Sequence, residues 1–234
     1  MSTLRAALAA AVGPETCAVL VEPIQGEGGV WPLDRGWLEL ARELCDRHDA
    51  LLLYDEVQTG IGRCGAWFCA ELAGVRPDAT AVAKGLAGGL PIGALLASDT
   101  PDGGFERGDH ATTFGGSPPI AAAALAVLDA IEREGLVENA RAVGERISER
   151  VAGLAGVDHV RGAGLLLGIE LVHAPAAEVA EVLRARGILV NAITPTALRL
   201  VPPLCLSQGE ADRFCATFED VLAARLSQRA TTVA

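Results

Sequence analysis

The chain reads as an α/β protein: a mostly parallel, helix-covered sheet, followed by a smaller α+β domain. Three observations predict this. Short apolar runs alternate with helical stretches through residues 1–134, the texture of a parallel sheet with crossover helices. Two of those runs end on chemistry-bearing residues, Asp55 and Lys84, at the edge where open α/β sheets place their ligands. From Gly156 onward closely spaced apolar runs replace that alternation, so residues 135–234 form a second domain with its own small sheet.

Taken in order, residues 1–12 form an alanine-rich amphipathic helix with Leu4, Leu8 and Ala11 on one side. No cleavage site makes this segment a signal peptide. Residues 17–22 read as a strand and 38–48 as a helix with Leu38, Leu40, Ala41 and Leu44 as its apolar positions. Residues 51–55, 79–83 and 92–97 follow as short buried strands. A long helix covers 118–134, with Pro118 at its start, and a second continues over 136–154. In the smaller domain, 157–161, 165–171, 188–190 and 198–201 read as strands, and 176–186 and 210–226 as covering helices. There is no internal repeat and no low-complexity linker.

Composition excludes several classes. Half of the residues are hydrophobic and 21% charged, which is ordinary for a folded chain and argues against disorder. A net charge of −11 argues against nucleic acid as a partner, because a phosphate backbone needs a basic surface. No apolar run approaches the roughly 18 residues that span a bilayer, so no membrane partner is expected. The six cysteines form no Cys-x-x-Cys pair and the histidines show no ligand spacing, so no metal is expected. Cys17 and Cys45 fall on apolar strand or helix faces. Cys64 and Cys69 are expected as reduced thiols, in a cytoplasmic protein.

Lys84 is the single lysine in a chain with 18 arginines (19 basic residues in all). Arginine keeps its proton near neutral pH; a lysine can give it up and act as an amine nucleophile toward an aldehyde. Upstream, the run Leu51-Leu52-Leu53-Tyr54 ends in Asp55-Glu56. An amine and an acid at two strand ends can face one cofactor, and for pyridoxal phosphate they are the defining pair, one on its aldehyde and one on its pyridine nitrogen. The glycines of 85–93 lack the spacing of a nucleotide-binding loop.

Four segments then carry a resemblance: Val21-Glu22-Pro23-Ile24-Gln25-Gly26-Glu27-Gly28-Gly29, Asp55-Glu56-Val57-Gln58-Thr59-Gly60-Ile61-Gly62-Arg63, Ala83-Lys84-Gly85-Leu86 and Thr112-Thr113-Phe114-Gly115-Gly116-Ser117-Pro118. In residues and order they resemble the class III pyridoxal-phosphate-dependent aminotransferases. Gly187-Ile188-Leu189-Val190-Asn191 and Ala197-Leu198-Arg199-Leu200-Val201-Pro202-Pro203-Leu204 bring the resemblance nearest to the acetylornithine aminotransferase branch. It runs from about Leu4 to the C-terminus and covers only the C-terminal portion of such proteins.

The resemblance implies fold type I of the pyridoxal-phosphate transferases. Residues 1–134 would be a partial cofactor-binding large domain and 135–234 the small C-terminal domain. It implies Lys84 as the cofactor-bearing base, Asp55 on the ring nitrogen, Val57 on the ring face and Gln58 at the phenolic oxygen. Thr113 would reach the phosphate across a homodimer interface. Arg199 would grip a substrate carboxylate and Glu27 would neutralise it when an ω-amine enters. Arg161 and Asn191 sit in family-like stretches without an assigned role. The implied reaction is transamination between N-acetylornithine and 2-oxoglutarate, in arginine biosynthesis. Ornithine, succinylornithine or 4-aminobutyrate as donor stays open, as does a non-catalytic fragment. The portion not represented would hold the glycine/serine-rich loop that binds most of the phosphate, an aromatic residue stacking on the ring and an arginine for the distal carboxylate, and Met1 is expected to be an internal start or a gene-model artefact.

Overall fold

The computed structural model describes residues 2–97, 106, 108–109, 111–172 and 174–233. Its elements run α1 (Ser2–Ala11), β1 (Ala18–Val21), β2 (Ile24–Gln25), β3 (Trp31–Pro32), α2 (Arg35–His48), β4 (Leu51–Asp55), α3 (Cys69–Ala73), β5 (Ala79–Val82), a 3-10 turn (Lys84–Ala87) and β6 (Ala94–Ala97). Then follow α4 (Pro118–Arg133), α5 (Leu136–Ala152), β7 (Val157–Ala163), β8 (Leu166–Leu171), α6 (Ala176–Ala185), β9 (Asn191–Ala192), β10 (Ala197–Leu200) and α7 (Gln208–Val233). The chain separates into two compact units. The second takes Gly135–Ala234 together with two short earlier segments, Ile24–Pro32 and Gly62–Trp67; the first holds the rest.

The first unit is built on a four-stranded sheet in the order β1-β4-β5-β6. β1 and β4 pair in parallel, as do β4 and β5, while β6 returns antiparallel to β5. Leu38, Ala41, Leu44 and Cys45 recur at helical spacing and pack the inner face of α2 against Leu52 and Tyr54 of β4, all buried. The helix stops at Asp49, which takes a left-handed conformation (φ 53°) while its N–H bonds Cys45 O. Asp78 ties this layer together: its Oδ2 accepts from the Leu52 N–H at 2.7 Å and from Arg42 Nη1 at 2.8 Å.

The second unit carries an antiparallel sheet in the order β7-β8-β10-β9. Alternate residues of β8 (Leu167, Ile169, Leu171) and β10 (Leu198, Leu200) meet Val143, Ile147 and Val151 of α5, Val179 and Leu183 of α6, and Phe214 and Phe218 of α7. Phe214 and Phe218 stack at 5.6 Å between ring centroids. α7 begins at a capping box: the Glu210 carboxylate accepts from the Ser207 N–H at 2.9 Å and the Ser207 hydroxyl accepts from the Glu210 N–H at 3.2 Å.

Several expectations need correcting. The buried side of α1 is Leu8 with Val12; Leu4 is 63% exposed and Ala11 is also exposed. Residues 94–97 are not a buried strand: β6 is the last strand of its sheet and all four residues are exposed, so apolar composition alone misread an edge as an interior. In the small sheet the ladder opposite β10 forms at Asn191–Ala192 and not at 188–190, where Leu189 is 83% exposed. Cys17 precedes β1 and is exposed, whereas Cys45 is buried. All six cysteines are free. The β2–β3 hairpin and α3 are too short for a periodic signal.

The second unit's core predicts a clear outcome. Phe218, fully buried, cannot be truncated without a cavity. Phe218→Ala is expected to lower stability by about 3–5 kcal/mol in urea unfolding.

Candidate active site

The parallel register of β4 and β5 fixes the first group of predicted residues. Asp55, the last residue of β4, lies opposite Ala81, and the Glu56 N–H bonds Ala81 O at 2.9 Å. β5 ends at Val82, and Lys84 opens the 3-10 turn just beyond it. Both residues therefore leave the sheet at its carboxyl edge, on adjacent strands. Lys84 is exposed and has φ 39°, a left-handed conformation that costs a non-glycine residue on the order of 1–3 kcal/mol and is kept where its surroundings enforce it. Among the described residues no hydrogen bond or ion pair engages its ammonium. Asp55, half-buried, accepts the Val57 N–H on Oδ1 at 3.0 Å. That bond folds the chain into a turn carrying Val57 and Gln58, both half-buried.

Glu56 stabilises this turn from beneath. It is 1% exposed, and its carboxylate accepts the Cys69 N–H at 2.5 Å, the Ala70 N–H at 2.9 Å and the Thr59 hydroxyl at 3.1 Å. Burial pushes its carboxyl above the ordinary glutamate range, against the pull of those hydrogen bonds. Sequence reading gave Glu56 no role; an acid immediately after a strand-terminal Asp was the available signal.

Thr113 lies exposed in the bend before α4. The local turn bond runs from the Gly115 N–H to Thr112 Oγ1 at 3.2 Å, so Thr112 is the residue that closes the bend. Burial pushes the Cys45 and Cys215 thiols up, away from reactivity. Among the described residues no cluster is suited to a metal ion, and no helix is long and apolar enough to cross a membrane.

The second group of predicted residues lies within the second unit. Arg199 sits on β10 with its side chain 10% exposed, and its Nη1 donates to Glu27 Oε1 at 2.7 Å; the Glu27 side chain is 71% exposed. Beside Arg199 is a cleft of about 380 Å³ with Asn191 and Arg213 among its polar lining and Ile188, Val201 and Phe214 among its apolar lining. Arg63 is a further functional-looking residue whose role is structural: its Nη1 donates to Leu165 O at 3.2 Å and to Pro202 O, and burial lowers its pKa.

The profile of the aminotransferase class-III family matches residues 2–222. The chain belongs to the class-III aminotransferases. It is 50% identical over 204 residues to acetylornithine aminotransferase 1 of Bordetella pertussis, covering 86% of the chain and 52% of the relative. It is 45% identical over 208 residues to the acetylornithine aminotransferase of Methanosarcina mazei, at 88% and 52%. Among solved structures, the ornithine aminotransferase of Toxoplasma gondii superposes with a TM-score of 0.87 at 31% identity, over 97% of this chain and 55% of that one. The N-acetylornithine aminotransferase of Stenotrophomonas maltophilia gives 0.82 at 34%, over 97% and 61%. The chain thus spans about half the length of the curated relatives it matches.

Glu56 generates a pH-dependent prediction. A carboxyl with a higher pKa in the folded than in the unfolded chain stabilises most below its unfolded value, and that contribution is lost as pH rises through the folded one. Urea unfolding of wild type and Glu56→Gln between pH 4 and 8 is expected to show the variant's deficit largest at the acid end and shrinking as pH rises.

Proposed function

We propose that this chain is the lysine-bearing portion of a pyridoxal-phosphate-dependent aminotransferase that moves the ω-amine of N-acetylornithine to 2-oxoglutarate. The observation that supports it most is the β4–β5 edge, where adjacent strand ends present a carboxylate and an amine. Those residues fit the cofactor: Lys84 is the chain's one side-chain amine, exposed and unengaged among the described residues, and Asp55 is a half-buried carboxylate one strand away. When bound, pyridoxal phosphate supplies an electrophilic carbon and a ring that withdraws electrons from the reacting carbon of the substrate.

In this reading Lys84 Nζ would hold the cofactor and would serve as the base that carries the proton at the substrate carbon. Asp55 would hold a proton on the ring nitrogen, a task that needs its negative charge. Val57 would pack on the ring, Gln58 would hydrogen-bond the phenolic oxygen, and Thr113 would contact the phosphate across the interface of a homodimer. Arg199 binds a substrate carboxylate through its planar fork. Glu27 covers that arginine when an ω-amine donor enters. The asymmetry of their burial suits an exchange: the exposed Glu27 can swing away while Arg199 remains fixed in its strand, and an incoming carboxylate takes over the same charge pairing. The cytoplasm and arginine biosynthesis are the setting that follows from this substrate pair.

The similarity to an ornithine aminotransferase structure makes ornithine the second donor to test. In the chain completed with the N-terminal half of a curated relative, a donor panel read as 2-oxoglutarate-dependent glutamate formation is expected to favour N-acetylornithine over ornithine, succinylornithine and 4-aminobutyrate. A higher kcat/KM for any of the others overturns the substrate assignment. In the same protein Lys84→Arg is expected to abolish turnover, and Asp55→Asn to lower it about 10²–10³-fold, with the far-UV spectrum unchanged.

A further inference from the structure

Three residues of the small sheet stand in one row. Arg161 of β7 faces Gly168 of β8, and Gly168 faces Arg199 of β10. Directly opposed residues of an antiparallel sheet project from the same face, so two arginines flank a position that has no side chain. The turn joining β2 to β3 lies over that gap. Val30, with no exposed surface, has its Cβ 3.0 Å from where a Cβ on Gly168 would stand, and Gly29 O would be at 3.2 Å. A side chain at 168 would push the turn off the sheet.

The two arginines hold this turn at two points. Arg161 Nε donates to Gly29 O at 2.8 Å, and the guanidinium carbon lies 3.9 Å from the centroid of the Trp31 ring. Its Nη1 is held by Glu170 Oε2 at 2.8 Å and His159 Nε2 at 3.0 Å, and the side chain is 7% exposed. With Asp158 Oδ2 2.8 Å from His159 Nδ1, the tautomer that satisfies both neighbours carries its proton on Nδ1 and accepts from Arg161. Two residues before Gly29, Glu27 receives its hydrogen bond from Arg199.

Backbone geometry shows why the turn needs this hold. Gly29 has φ 120° and Val30 φ 57°; a β-branched residue in the left-handed region is costly and persists only when its surroundings over-determine it. Arginine is suited to the task because one planar group serves a carbonyl with Nε, an acid and an imidazole with Nη1, and an indole with its face; lysine cannot do all of these at once.

We propose that Arg161 is a positioning residue: by fixing the 26–31 turn over Gly168 it sets how closely Glu27 covers Arg199, and so how readily Arg199 takes a substrate carboxylate. Arg161 acts through Glu27 and touches no substrate, and the inference rests on the Glu27–Arg199 reading given above. It makes selectivity between carboxylate-end and ω-amine substrates a property of a residue on β7, two strands away from Arg199.

The test titrates glutarate, a dicarboxylate without an amine, into the 234-residue chain by calorimetry. Glu27→Gln is expected to raise glutarate affinity about tenfold, since the competing carboxylate is gone. Arg161→Lys is expected to raise it about threefold or more, and the double variant to bind no more tightly than Glu27→Gln alone. A residue that merely supports the fold would weaken binding when loosened, not strengthen it. Unchanged or weaker affinity in Arg161→Lys, with the gain still seen in Glu27→Gln, overturns the positioning role and leaves the Glu27–Arg199 reading standing. No gain in Glu27→Gln overturns that reading, and this one with it. If Arg161→Lys fails to fold, Glu170→Gln, which removes one anchor of Arg161 without touching the turn, is expected to give a smaller rise in the same direction; no rise there overturns the proposal.

Discussion

The parallel pairing of β4 with β5 is the constraint on which the proposed chemistry of the first unit depends. Parallel strands finish at the same edge, so a register that sets Asp55 opposite Ala81 also brings Lys84 out on the neighbouring strand end. No loop search is needed to bring acid and amine to one edge; the backbone ladder does it. Glu56 then secures the segment after β4 by taking two N–H groups of α3 and the Thr59 hydroxyl on one buried carboxylate. Replacing those acceptors would leave buried donors unsatisfied, at about 1–3 kcal/mol each, which makes this residue a structural support for the turn bearing Val57 and Gln58.

A different device works in the second unit. There, half-buried arginines reach main-chain carbonyls of distant segments: Arg161 holds Gly29, and Arg63 holds Leu165 and Pro202. Both segments that leave the first half of the sequence to join this unit, Ile24–Pro32 and Gly62–Trp67, are secured in this way. The guanidinium is suited to such work because its donors diverge in a plane and its charge is always present. Two of the chain's arginines thus have a structural task, and under the proposed function the one lysine serves chemistry that an arginine cannot perform.

The sequence made the chemical residues of the first unit legible because composition and periodicity act locally. Apolar runs ending in Asp55 and just before Lys84 predicted two strand ends, and the strands formed there. Local signals fail where the deciding partner is remote. Arg161 looks like any strand arginine until Gly29, 132 positions away, is found against it. The β2–β3 hairpin has strands of two residues, below the length at which alternation can be seen. β6 reads as buried because Ala94-Leu95-Leu96-Ala97 is wholly apolar, yet hydrophobicity does not say whether a strand is central or at an edge. Likewise Thr112 and Thr113 are indistinguishable in sequence, and only the geometry of the bend shows which one makes the turn bond.

Lys84 is the residue that must take the cofactor if the proposed function holds. Incubation of the chain with pyridoxal phosphate, borohydride reduction and mass-spectrometric mapping addresses this directly, since only Lys84 and the terminal amine compete for the label. One pyridoxyl group per chain on Lys84, at low micromolar cofactor and needing more cofactor in Asp55→Asn, is the predicted result. Label divided equally between Lys84 and the terminus, and indifferent to Asp55, would contradict it.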